Sequence, residues 1–113
     1  MQRSTVGHWL YVAERTNSGS ISYISSHLAC FHAGNWILGG RLIGDESIVK
    51  YGLELADACY NTYATTTTGI GPDAFAFMGP NGSYTGKNIT TGDIEFYEQH
   101  GWYVHDGGSR YYL

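Results

Sequence analysis

Residues 28–43, LACFHAGNWILGGRLI, constrain this chain more than any other stretch, because they form a helical segment that is apolar nearly all round. Only His32, Asn35 and Arg41 are strongly polar there, and the small residues Ala29, Ala33, Gly34, Gly39 and Gly40 are spread through it. A helix without a broad polar face must be buried on several sides, and small residues let neighbouring backbones approach closely. Ser25 and Ser26 stand just before it as N-cap candidates.

A second helix is predicted from Asp45 and Glu46 to about Tyr63. Ile48, Gly52, Leu55, Cys59 and Thr62 share one stripe, while Glu46, Lys50, Glu54 and Asp57 make the opposite, solvated face. Its acids and lysine read as surface pairs. The run Thr65, Thr66, Thr67, Thr68 followed by Gly69 ends it. Beyond the break at Gly71-Pro72-Asp73, residues 74–77 (AFAF) alternate like a short strand, and 79–93 read as a polar turn. Residues 95–97 then lead into an extended segment at 102–104, a Gly107-Gly108 turn and a final apolar stretch. Upstream, residues 1–26 show little period; residues 9–12 suit a strand or a helix end, and residues 17–20 a turn. No repeat or linker divides residues 1–113. One amphipathic helix and a hairpin cannot cover a helix that is apolar all round, so the chain is expected to need surfaces it does not contain.

Charge excludes some partners. Six Lys+Arg against ten Asp+Glu give a net charge of −4 with no basic run, unsuited to nucleic acid. No stretch approaches the roughly 20 apolar residues of a membrane span, and the polar start is unlike a signal peptide. Two sequons, at Asn81 and Asn88, and two cysteines, Cys30 and Cys59, suit the secretory pathway. Composition leaves a cytosolic chain with free thiols equally open.

The segment His27-Leu28-Ala29-Cys30-Phe31, the small-residue helix ending Leu38-Gly39-Gly40, then Leu55-Ala56-Asp57-Ala58-Cys59-Tyr60 and Thr68-Gly69-Ile70-Gly71-Pro72-Asp73 together resemble glycoside hydrolase family 47, the class I α-1,2-mannosidases. Phe96-Tyr97, Gly101-Trp102-Tyr103-Val104 and Tyr111-Tyr112-Leu113 are most similar to its fungal secreted branch. The resemblance runs from about Ser18 onward and is weaker over residues 1–17. It implies a mainly α fold with β-hairpins, as part of an (α/α)7 barrel several times longer than this chain. The two helices would be consecutive barrel helices, and residues 1–113 a portion of the catalytic domain, incomplete at both ends.

The same resemblance implies inverting hydrolysis of α-1,2-linked mannose from high-mannose N-glycans, with Ca²⁺. Asp73 stands where the family commonly carries a glutamate, one of its active-site acids; the aspartate is a methylene shorter. Read from the residues alone, it is more simply a turn residue after proline. His27 would line the sugar pocket, its imidazole bonding sugar hydroxyls. Cys30 and Cys59 would form the family's disulfide between neighbouring helices. A metal site from His27, Cys30, His32 and Cys59 fits poorly, since positions 30 and 32 point apart on a helix. By the same resemblance the partner carboxylate of an Arg-Pro-Glu motif would follow Leu113, other acids would precede Met1, and the calcium-binding threonine would lie near the family's far C-terminus, so this segment alone is expected to be inactive and to bind no metal. The alternatives are a mannose-glycan binding relative without hydrolysis and a purely structural helical hairpin.

Overall fold

The computed structural model describes residues 1–85 and 89–105. Ten short elements follow in order: β1 (Gln2–Arg3), β2 (Leu10–Tyr11), β3 (Glu14–Arg15), β4 (Ile21–Ser22), β5 (Ile24–Ser26), α1 (His27–Ile43), α2 (Glu46–Ala64), β6 (Ala74–Ala76), α3 (Thr91–His100) and β7 (Tyr103–Val104). The two expected helices are present. Ser26 caps α1 through a bond from the Ala29 N–H at 3.4 Å, and Gly44, at φ 73°, closes it in the left-handed conformation glycine favours. Asp45 caps α2, accepting from the Ser47 hydroxyl and the Ser47 and Ile48 amides. The Ser47 hydroxyl and then the Ile48 amide hold the Asp45 carboxyl below its usual range.

The helices form an antiparallel αα-hairpin whose shared core is Ala33, Leu55 and Cys59. Close approach is the reason for its glycines. A Cβ on Gly52 would lie 2.7 Å from Ile37 Cγ1 and 2.9 Å from the Ala33 carbonyl oxygen, whereas one on Gly34 meets nothing within 4 Å among the described residues. Gly52→Ala is therefore expected to destabilise the chain, because overpacking against backbone at roughly 1–3 kcal/mol outweighs a propensity gain of at most about 1 kcal/mol. Gly34→Ala should show only the gain. Urea midpoints of the two variants check the pair.

One flank of α1 packs on α2. The other leaves Leu28 78%, Phe31 75%, Leu38 63% and Leu42 77% exposed, as expected of a helix with more apolar surface than its neighbours here can cover. The charged face of α2 is largely solvated, as expected, but its ion pairs are not the ones expected. Glu54 is half-buried while Glu46, Lys50 and Asp57 are exposed; Glu54 accepts from Arg3 at 2.5 Å and Glu46 pairs with Arg41 at 3.2 Å, so neither pairs with Lys50.

The second correction concerns residues 79–93, read as a turn, and 95–97, read as an approach to a strand: Thr91–His100 is helix. Thr90 and Asp93 form a reciprocal capping box, which nucleates the turn even though the following residues have no clear apolar stripe. Residues 1–26, expected to be irregular, hold five strands of two or three residues. The turn over 17–20 is as expected and joins β3 to β4, which pair antiparallel. The Gly107-Gly108 turn and the final apolar stretch lie outside the described residues.

The main core is aromatic. Tyr11, Phe75, Phe77, Tyr97, Trp102 and Tyr103 are buried around Ala58 of α2, packing edge to face for the most part. Running through it is a three-stranded sheet in the order β5-β6-β7, antiparallel throughout, with Ser26 opposite Ala74 and Phe75 opposite Val104.

Candidate functional site

The sheet register is what builds the site. Because Ser26 faces Ala74, the residue after one strand meets the residue before the other: His27, first in α1, donates its backbone N–H to the Asp73 carbonyl oxygen at 2.8 Å. Forty-six positions of chain separate these two residues, and an antiparallel pairing of three residues brings them side by side. Pro72 is buried and Asp73 half-buried, so the carboxylate sits at the rim of the packed core.

Tyr63 completes the group. Its hydroxyl is hydrogen-bonded to His27 Nδ1, and the two rings meet edge to face with centroids 6.1 Å apart. Burial raises the Tyr63 phenol above its ordinary value, and the Asp73 carboxylate adds to the rise, so the phenol keeps its proton. Sequence reasoning missed Tyr63. The signal was there: it lies four residues after Cys59, on the same helical face, which a bridge to Cys30 turns toward the start of α1.

Cys30 and Cys59 are disulfide-bonded, with Cα atoms 6.0 Å apart. Cys30 is three residues on from His27 and Cys59 four before Tyr63, so in this antiparallel pair the bridge staples the helices one turn below the His27–Tyr63 contact. The cysteines are thus committed to each other, and no ligand set with His27 and His32 exists. Among the described residues, no group of three or more His, Cys, Asp or Glu is placed to hold a metal ion. The residues described do not fit a calcium site. No described helix is long and apolar enough to cross a membrane.

Asn81 is exposed in a turn closed by the Gly82 N–H on the Gly79 carbonyl oxygen at 3.0 Å; Asn88 lies outside the described residues. Surface clefts occur elsewhere, one of about 250 Å³ lined by Trp9, Asp57, Tyr60, Asn61 and Ala64, and it includes neither His27 nor Asp73. His27, Tyr63 and Asp73 are each half-buried, so the corner they form keeps a side toward solvent. One carboxylate, one imidazole and one phenol can donate and accept hydrogen bonds to a polyhydroxylated ligand.

Comparison with known proteins places this corner in context. Residues 1–105 match the profile of "Glycosyl hydrolase family 47", so the likeness extends over residues 1–17 as well. A probable mannosyl-oligosaccharide alpha-1,2-mannosidase 1B of Neosartorya fischeri is 40% identical over 91 residues, which are 80% of this chain and 17% of that protein. A mannosyl-oligosaccharide alpha-1,2-mannosidase of Coccidioides posadasii is 36% identical over 88 residues, 78% of this chain and 16% of the relative. The solved alpha-1,2-mannosidase from Trichoderma reesei superimposes with a TM-score of 0.80 at 31% identity, covering 91% of this chain and 21% of that one. This chain therefore spans about a sixth of the length of the curated relatives it matches. The expected architecture, a helix pair with hairpin strands from a barrel of helices, agrees with that superposition.

Proposed function

The chain belongs to glycosyl hydrolase family 47, and from that premise we propose that residues 1–113 are one portion, with no internal domain boundary, of the catalytic domain of an inverting mannosyl-oligosaccharide α-1,2-mannosidase. Its substrate is a high-mannose N-glycan in the secretory pathway, to which the disulfide and the exposed sequon at Asn81 lend support. Calcium, in the intact enzyme, is held by residues other than those described.

The observation that carries the reading is the meeting of His27 and Asp73 across the β5–β6 register, against Tyr63. Inversion at a glycosidic carbon needs one carboxyl group to protonate the leaving oxygen and another to activate water on the opposite face, about 6.5–9.5 Å apart. Asp73 supplies one carboxyl group. His27 orients the sugar through its hydroxyls. The second carboxyl group comes from the remainder of the barrel, so the 113-residue chain alone releases no mannose.

The test is a graft: residues 18–105 replace the matching segment of the Trichoderma reesei enzyme, and mannose release from an α-1,2-linked oligosaccharide is measured. Asp73→Asn in the graft is expected to slow turnover roughly 100- to 10,000-fold, the usual worth of a positioned acid or base, with the melting temperature unchanged. Kinetics indifferent to this change would remove Asp73 from the site. One observation favours a second reading, a glycan binder with little hydrolysis: aspartate places its carboxyl group about 1 Å short of where glutamate would, a displacement worth up to about 100-fold. A graft that binds oligosaccharide but hydrolyses it only after Asp73→Glu establishes that reading.

A further inference from the structure

We infer that Tyr63 is the positioning residue of this corner: its hydroxyl donates to His27 Nδ1, which fixes the proton on Nε2 and makes His27 a directed hydrogen-bond donor to a hydroxyl oxygen of the bound sugar. The inference rests on the reading of His27 as a sugar-contacting residue, and on three observations of its own.

The first is the bond itself. Tyr63 Oη and His27 Nδ1 are hydrogen-bonded. A phenol O–H is a stronger acid than a neutral imidazole N–H, and an imidazole nitrogen a stronger base than a phenol oxygen, so the proton lies on the tyrosine side and Nδ1 accepts. Which ring nitrogen carries the proton follows from the bond made by the other. Nε2 is then an N–H group, and among the described residues it has no hydrogen-bond partner.

The second is how firmly Tyr63 is held. Thr65 Oγ1 donates to the Asn61 carbonyl oxygen at 2.6 Å, Asn61 Nδ2 donates to the His100 carbonyl oxygen at 2.9 Å, and Trp102 Nε1 donates to Thr65 Oγ1 at 2.9 Å. The last turn of α2 is thereby tied to α3 and to the segment leading into β7. A side chain that orients another must itself be held by its neighbours.

The third is the fit of the motif around the ring. A Cβ on Gly71 would lie 3.1 Å from both Tyr63 Cδ1 and Cε1. The Gly71-Pro72-Asp73 turn therefore passes close against the Tyr63 ring, and a side chain at position 71 would crowd both that ring and the Thr62 carbonyl oxygen, also 3.1 Å away. Tyr63 is in contact with the chain before Asp73 on one side and with the His27 imidazole on the other, so one phenol sets the relation between both proposed site residues.

Nitrogen-15 spectra of the imidazoles in the 113-residue chain test this. In the unaltered chain His27 is expected to show a protonated-type Nε2 and an unprotonated-type Nδ1. Tyr63→Phe keeps the ring and removes only the hydroxyl; with the circular dichroism spectrum retained, it should move both nitrogens toward values averaged between tautomers. Tyr60→Phe, at an exposed tyrosine on the same helix, should leave them in place. A protonated Nδ1 in the unaltered chain, or a His27 signal indifferent to Tyr63→Phe, overturns the inference whatever His27 binds. Adding α-1,2-mannobiose to the Trichoderma reesei graft, in which the rest of the barrel is present, separates the two readings: a shift of the His27 Nε2 signal, lost in Tyr63→Phe, supports both, while a fixed tautomer that ignores mannobiose at all concentrations overturns the sugar-donor role and the sugar reading of His27, leaving only the Tyr63–His27 bond.

Discussion

Trp102→Ala is expected to cost about 3–5 kcal/mol, the range for truncating a fully buried aromatic residue, and to lower the urea midpoint more than any other single truncation in the chain. Trp102 is 0% exposed. Its indole packs edge to face on Phe75 at 6.1 Å and on Phe96 at 4.9 Å, so it joins the central strand β6 to α3. Its N–H also reaches Thr65 at the end of α2. Truncation opens a cavity among side chains that belong to three different elements and releases the turn that carries Tyr63. The loss is expected in two readouts together, stability and the His27 tautomer. A loss below about 1 kcal/mol would mean that the aromatic core collapses around the gap at little cost.

Removing the disulfide, with Cys30→Ala and Cys59→Ala together, is expected to cost about 3–4 kcal/mol. The bridge spans 29 residues, and in the chain-entropy model the restriction it places on the unfolded chain has this size. The local consequence is specific. The buried cluster between α1 and α2 is small, with Ala33, Leu55 and Cys59 in it and Val49 packed against Gly40, and the far face of α1 is open, so the bridge and the close approach at Gly40 and Gly52 carry much of what holds α1 in place. Amide exchange should therefore quicken along α1 first, while amides of β6 and β7 keep their protection. Equal acceleration in both regions would show that the hairpin and the aromatic core unfold as one unit.

These two variants also mark what could be read beforehand. Both helices were legible because their signals are local. Ser26 and Asp45 are capping residues next to apolar periods, and a glycine stands at the end of α1. The exposure of Leu28, Phe31, Leu38 and Leu42 was legible for the same reason, as a surplus of apolar surface visible in composition and spacing. Helix α3 was also local and was passed over: the capping box of Thr90 and Asp93 was present, but Phe96, Tyr97 and the aromatic residues after Gly101 read as strand.

The sequence by itself determined the two helices, their apolar surplus and, through the family resemblance, the identity of His27, Asp73, Cys30 and Cys59 as residues to watch. Tertiary structure decided what these residues do to one another. The pairing of Ser26 with Ala74 that sets His27 beside Asp73, and the αα-hairpin that lays Tyr63 against His27, are long-range. Strands of three residues pair through backbone groups common to every residue, so their register leaves little trace in side-chain identity. The corner exists because packing of the aromatic core chose one register, and that choice is a property of the folded chain as a whole.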